Sequence, residues 1–185
     1  MNTDLFDRAA HFAIDAHRGA ERKGKGYPYI LHPMEAAIIV SSLTTDPAML
    51  AAAILHDTVE DTDVTIEQIR REFGDRVAAL VQHETSPLPH EAPWRERKKA
   101  QADLIASSPY DSKVVALGDK LSNLRAIAAD YRQLGDALWS RFKAPNGKED
   151  ILWYYTILAD AMKELADTVP YKEYCRLLEE ISLNS

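Results

Sequence analysis

Apolar residues recur along this chain at intervals of three and four. No stretch sustains the alternation, rich in Val, Ile and aromatics, that marks a strand. The pattern predicts a first helix over Asp4–His17, then a basic, Gly-bearing loop from Arg18 to Tyr29. A second helix follows with Pro33 in its first turn, where a missing N–H costs nothing. Asp46 as N-cap and Pro47 at the first helical position start a third helix, continuing through AMLAAAILHDTVED. Its first half is apolar nearly all round, so it is expected to cross the centre of the fold. Thr65 with Gln68 reads as a capping box, and Gly74 ends that helix. A short helix over Asp75–Glu84 precedes SPLPHEAP, the clearest loop in the chain. Further helices are expected at Trp94–Ala106, Ser112–Tyr131, Gly147–Thr168 and Tyr171–Leu183. The fold class is all-α.

A length of 185 residues suits one domain, read here as a core over 4–168 followed by a C-terminal helix over 170–184. The formal net charge of −7 argues against a dedicated nucleic-acid-binding domain. It leaves room for an anionic small molecule, because local bases or a metal reverse the sign within one pocket. Cys175 is the single cysteine, which excludes an internal disulfide and a Cys-rich zinc site. The start MNTDLFDR lacks a signal-peptide pattern and no apolar run approaches the ~18 residues of a membrane span, so a cytoplasmic location is expected.

Polar residues inside an apolar helix need a reason. His56-Asp57 and Glu60-Asp61 follow the most apolar stretch of the chain; His56 and Glu60 are four apart, as are Asp57 and Asp61, which stacks each pair on one helical face. Carboxylates crowded together either face water or surround a cation. His32, expected directly before a helix start, and Asp119, in the apolar VVALGDKLSNLRAI, complete a mixed nitrogen and oxygen set: His32, His56, Asp57 and Asp119. Such a set suits Mn²⁺ first, with Fe²⁺, Co²⁺ or Zn²⁺ behind it. Four protein ligands leave positions open for water and a substrate oxygen.

The segments AHRGAERKGKGYPYILHP, LHDTVEDT and VALGDKLSNLR, in this order and spacing, resemble the HD-domain hydrolases of the RelA/SpoT type, in particular small stand-alone members without a synthetase domain. That resemblance implies a single HD-domain fold of about eight to ten helices around a metal site. It implies Mn²⁺-dependent hydrolysis of the 3′-pyrophosphate of guanosine tetra- and pentaphosphate, which ends or tunes the stringent response. Carried over position by position, the metal ligands are His32, His56, Asp57 and Asp119, and the catalytic acidic pair is Glu60 and Asp61. Arg22 is the base-stacking arginine with Lys23 beside it, Asn123 helps hold the ribose and phosphate end, and Lys98 and Tyr154 approach phosphates. Gly118 stands where the family commonly has Ala, a swap expected to be harmless. The stretch GDALWSRFKAPNGKEDILWYY does not resemble the linker toward a synthetase domain, so alarmone synthesis is not expected.

Alternative readings keep the chemistry and change the substrate, to the adenosine analogue or the 2′-phosphate of NADPH, or keep the pocket and remove catalysis, leaving a nucleotide-sensing module. Glu60-Asp61 argues against the sensor, since a pure binding site gains nothing from two extra carboxylates near phosphate. A stacking arginine is indifferent to the exocyclic groups of a purine, so guanine and adenine stay equivalent here. The oligomeric state stays open as well. His11 reads as a core or boundary residue, His83 and His90 as surface or loop residues, and Arg125 as an ion-pair partner.

Overall fold

A computed structural model describes residues 3–183; the last residue of the expected C-terminal helix, Asn184, lies outside them. The chain runs α1 (Asp4–Ala16), α2 (Leu31–Ser41), α3 (Pro47–Leu55), α4 (Thr58–Asp61), α5 (Ile66–Phe73), α6 (Asp75–Glu84), α7 (Trp94–Ser107) and α8 (Tyr110–Leu134). A 3-10 segment, Gly135–Arg141, leads to α9 (Lys148–Ala161), and a short 3-10 turn, Lys163–Leu165, leads to α10 (Val169–Leu183). The only extended pairing among the described residues is a bridge between Glu21 and Pro28, which closes the basic loop on itself.

The capping signals act as read. Asp46 accepts from the Ala48 N–H with Pro47 behind it, and Thr65 and Gln68 exchange both bonds of a capping box. The long helix α8 forms the axis, with α2, α3, α6, α7 and α10 packed on it. Ala51, Ala52 and Ala53 are fully buried, so α3 does pass through the centre, and these small side chains let its neighbours come close.

Several expectations change. The third helix is interrupted: α3 ends at Leu55, His56 and Asp57 form a turn, and α4 is one turn long. The Thr58 hydroxyl bonds the Leu55 carbonyl and the His56 ring bonds the Ala53 carbonyl, so side chains take acceptors that a continuous helix would use. His32 sits inside the first turn of α2 rather than before it. The helix expected over Gly147–Thr168 stops at Ala161, and its last turns are tied by Tyr171 to the Ala159 carbonyl and by Tyr174 to the Tyr155 carbonyl. His11 is exposed, whereas His83 is half-buried on α6 and bonded to the Ser112 hydroxyl.

Gly118 is not a neutral swap. A Cβ built there would lie 2.6 Å from Val40 Cγ2 and 2.8 Å from the Ala36 carbonyl oxygen. Alanine therefore does not fit between α2 and α8 as they stand, and this glycine sets how closely the helices carrying His32 and Asp119 approach.

Candidate metal centre and nucleotide cavity

The first turn of α2, the turn between α3 and α4, and the middle of α8 meet at one point. His32 Nε2 and His56 Nε2 are 3.3 Å apart. Asp119 Oδ1 lies 3.1 Å from the first and 3.4 Å from the second; Asp57 Oδ2 lies 3.3 Å and 3.0 Å from them. Donors ~2.1 Å from one ion and at right angles sit about 3.0 Å apart, so these spacings suit a single first-row cation. His32, His56 and Asp119 are all buried.

The hydrogen bonds fix what the imidazoles offer. His56 Nδ1 is 2.8 Å from the Ala53 carbonyl, which only accepts, so the ring proton is on Nδ1 and a lone pair is on Nε2. His32 Nδ1 is 2.8 Å from Ser122 Oγ, whose own proton goes to Glu35 Oε2 at 2.7 Å. Ser122 must therefore accept from His32, and His32 Nε2 also carries a lone pair. Glu35 in turn pairs with Arg125, which binds Glu173 as well, in keeping with the ion-pair reading of that arginine. Two lone pairs and two carboxylates facing one point need a cation between them. With no cation at that point, the same fields draw a proton onto His56 in its place. Burial works to lower the His56 pKa, yet Asp57 and Asp119 hold it well above the ordinary range. Burial works to raise the two aspartates, and the imidazoles, with Lys120 beside Asp119, hold both well below it.

Glu60 and Asp61 stand at the mouth of this centre. Burial raises both carboxyls; Lys120 and Lys98 work against it at Glu60, while Asp57 adds to it at Asp61. Tyr29, not anticipated from sequence, shares its hydroxyl between Asp57 Oδ2 at 2.6 Å and Asp61 Oδ2 at 2.9 Å. His17 packs against the Tyr29 ring, buried, with burial lowering its pKa. Behind Asp119, Lys120 pairs with that carboxylate and with buried Glu84. Neither Lys120 nor Glu84 carried a sequence signal, because buried ion pairs lack the periodicity that marks a helix face.

Beside the metal point lies a cavity of about 290 Å³ whose lining includes Arg22, Lys23, Tyr29, Asn123, Ile127 and Tyr155. Arg22 lies over the Tyr29 ring and donates to Asn123, whose amide donates to Asp119, so the arginine is tied to a metal-facing carboxylate through one side chain. Lys23 is spent on the Arg141 carbonyl at 2.6 Å. Lys98 turns inward over the Tyr154 ring, within the field of Glu60; burial lowers its pKa to about 8. Tyr154 does not face the cavity. It is buried with its hydroxyl donated to Gln101 at 2.6 Å, and its neighbour Tyr155 supplies the cavity wall.

Comparison with known proteins matches residues 9–147 to the HD domain model. The chain belongs to the HD domain family. It is 43% identical over 122 residues to the guanosine-3′,5′-bis(diphosphate) 3′-pyrophosphohydrolase MESH1 of Mus musculus, a match spanning 64% of this chain and 67% of that one. It is 36% identical over 131 residues to the guanosine-3′,5′-bis(diphosphate) 3′-pyrophosphohydrolase of Aquifex aeolicus, covering 69% of this chain and 18% of that much longer one. Among solved structures, one described as a metazoan ortholog of SpoT that hydrolyzes ppGpp superposes with a TM-score of 0.76. It is 28% identical, over 96% of this chain and 93% of that one. A second, lmo0812 from Listeria monocytogenes EGD-e, gives 0.73 at 30% identity over 81% and 97% of the two chains. An HD domain with this His, His and Asp set is a site for a divalent metal. No helix among the described residues is long and apolar enough to cross a membrane.

Proposed function

We propose that this protein is a metal-dependent 3′-pyrophosphohydrolase of guanosine tetra- and pentaphosphate, working as one helical unit with Mn²⁺ as its preferred ion. The observation that carries it is the convergence of four lone-pair donors from three segments, bordered by Glu60 and by a basic cavity. His32, His56, Asp57 and Asp119 hold the ion, which when bound neutralises phosphate charge and makes water more acidic.

The rest falls to the chain's own groups. Water attacks the phosphorus joined to O3′; the P–O3′ bond breaks, pyrophosphate leaves, and O3′ takes up a proton as GDP or GTP is released. Glu60 takes the proton of the attacking water, and its raised carboxyl is better matched to neutral pH than an ordinary glutamate. Asp61, tied to Tyr29, orients that water. Arg22 stacks its planar guanidinium on the purine, Asn123 holds the ribose end, and Lys98 meets phosphate. An inward cation and a water-facing acid pair beside the same centre favour turnover over sensing.

The test is a product assay with Mn²⁺ on guanosine tetraphosphate. GDP and pyrophosphate in equal amounts, lost on chelation and restored by Mn²⁺, is the expected result. No turnover by the folded, Mn²⁺-supplied protein overturns the proposal. Inorganic phosphate released from NADPH in place of any alarmone product overturns the substrate.

A further inference from the structure

Far from the metal point, the cavity ends in a charged cluster that a stacking pocket does not require. Asp130 lies on the same run of α8 as Asp119 and Asn123, eleven residues beyond the metal-facing aspartate, or ~16 Å along the helix. Its carboxylate accepts from Lys25 Nζ through one oxygen and lies 3.4 Å from Arg141 Nη1 through the other. Asp130 and Lys25 are both largely buried. Around them the cavity is apolar: Ala126 and Ile127 on α8, Leu138 and Phe142 opposite. Charges enclosed by apolar walls at the end of a ligand cavity cost desolvation that the same pairs at an open surface would avoid.

The cluster is held in place from outside. Lys23 donates to the Arg141 carbonyl, and Gly24, at φ +74°, lets Arg141 lie against the loop backbone; a Cβ there would be 3.0 Å from Arg141 Nη1. Loop and 3-10 segment therefore clasp each other over Asp130. A carboxylate offers about four lone-pair positions, and Lys25 and Arg141 occupy two.

We infer that Asp130 is the base-reading residue of this site, accepting the N1–H and N2–H of guanine while a flanking cation meets O6. This rests on the nucleotide hydrolysis proposed above. Arg22, Asn123 and Asp130 line one cavity, so a base held beside Arg22 shares that chamber with the Asp130 carboxylate. Guanine presents two adjacent donors and one acceptor, matching a carboxylate with a cation beside it. Adenine presents one donor next to the N1 lone pair, which sets an acceptor against an acceptor. Bidentate contacts of this kind discriminate by about 10- to 100-fold. Arg22 holds the base by its face and carries no such information.

The experiment measures kcat/KM with Mn²⁺ for the guanosine, inosine and adenosine 3′-pyrophosphorylated substrates, on wild type and Asp130→Asn. Wild type is expected to rank guanosine above inosine above adenosine, with about 10-fold or more between first and last. Asp130→Asn is expected to bring that ratio to within about threefold, mainly by losing guanosine turnover. A wild-type enzyme that treats the three alike or prefers adenosine overturns the inference, as does an unchanged ratio in the variant. Should the variant misfold, the wild-type guanosine-to-inosine ratio decides alone, since inosine lacks only the N2 amine. Failure to hydrolyse any of the three strikes the parent proposal instead, so the two are separable.

Discussion

Around Asp119 the polar atoms find partners on α8 itself, on α2 and in the turn after α3, whereas three turns on, at Asp130, they are supplied by a loop and a 3-10 segment. His32 leans on Ser122, Ser122 on Glu35, and Glu35 on Arg125. Asp130 leans on Lys25 and Arg141, both outside the α-helices. The metal end is fixed by packed helices, and the Asp130 end by side chains of a loop and a 3-10 segment. Chemistry needs donors held to fractions of an ångström, while recognition must admit and release a nucleotide.

That contrast orders the expected effects. Asp57→Asn and Asp119→Asn should each abolish Mn²⁺-dependent turnover, and Glu60→Gln should lower kcat by about 10²–10⁴-fold, with the helical circular dichroism retained. Near wild-type hydrolysis by Glu60→Gln would remove it as the base. Ser122→Ala leaves every ligand in place but frees the His32 ring, so metal affinity should fall by about 10- to 100-fold on titration calorimetry. Unchanged affinity would mean that helix packing alone aims the imidazole. Gly118→Ala should cost about 1–3 kcal/mol in denaturant unfolding, because Val40 and the Ala36 carbonyl must give way.

The smallest effect concerns Glu84. Its carboxyl accepts no hydrogen bond, and burial, only partly offset by Lys120, raises its pKa to about 7. The folded state then holds this proton more tightly than the unfolded chain, where the ordinary value is 4.5. Stability from this group is present at acidic pH and is lost as pH rises from about 4.5 to 7. Glu84→Gln should flatten the fall in melting temperature across that window; an identical pH profile in the variant would show that Glu84 does not titrate there.

Helix starts were legible where a single side chain caps its own backbone, as at Asp46, Thr65 and Gln68. The proposed ligands His32, His56, Asp57 and Asp119 stood out because charge inside an apolar run is costly unless it has a purpose, and the resemblance supplied the grouping. The interruption at His56–Asp57 was hidden, since it depends on two side chains competing for carbonyls in a helix whose pattern never breaks. Which tyrosine of α9 lines the cavity was hidden as well: adjacent tyrosines on a helix point about 100° apart, and only packing decides which one meets it.

Local sequence thus determined the helical class, the caps and the residue types able to hold a divalent ion, because each depends on near neighbours or on the desolvation of one group. Tertiary structure decided the imidazole tautomers through Ala53 and Ser122, the closeness of α2 to α8 through Gly118, and the meeting of Lys25, Asp130 and Arg141. Those groups are brought together only by packing, and no propensity or periodicity encodes a distance between positions a hundred residues apart.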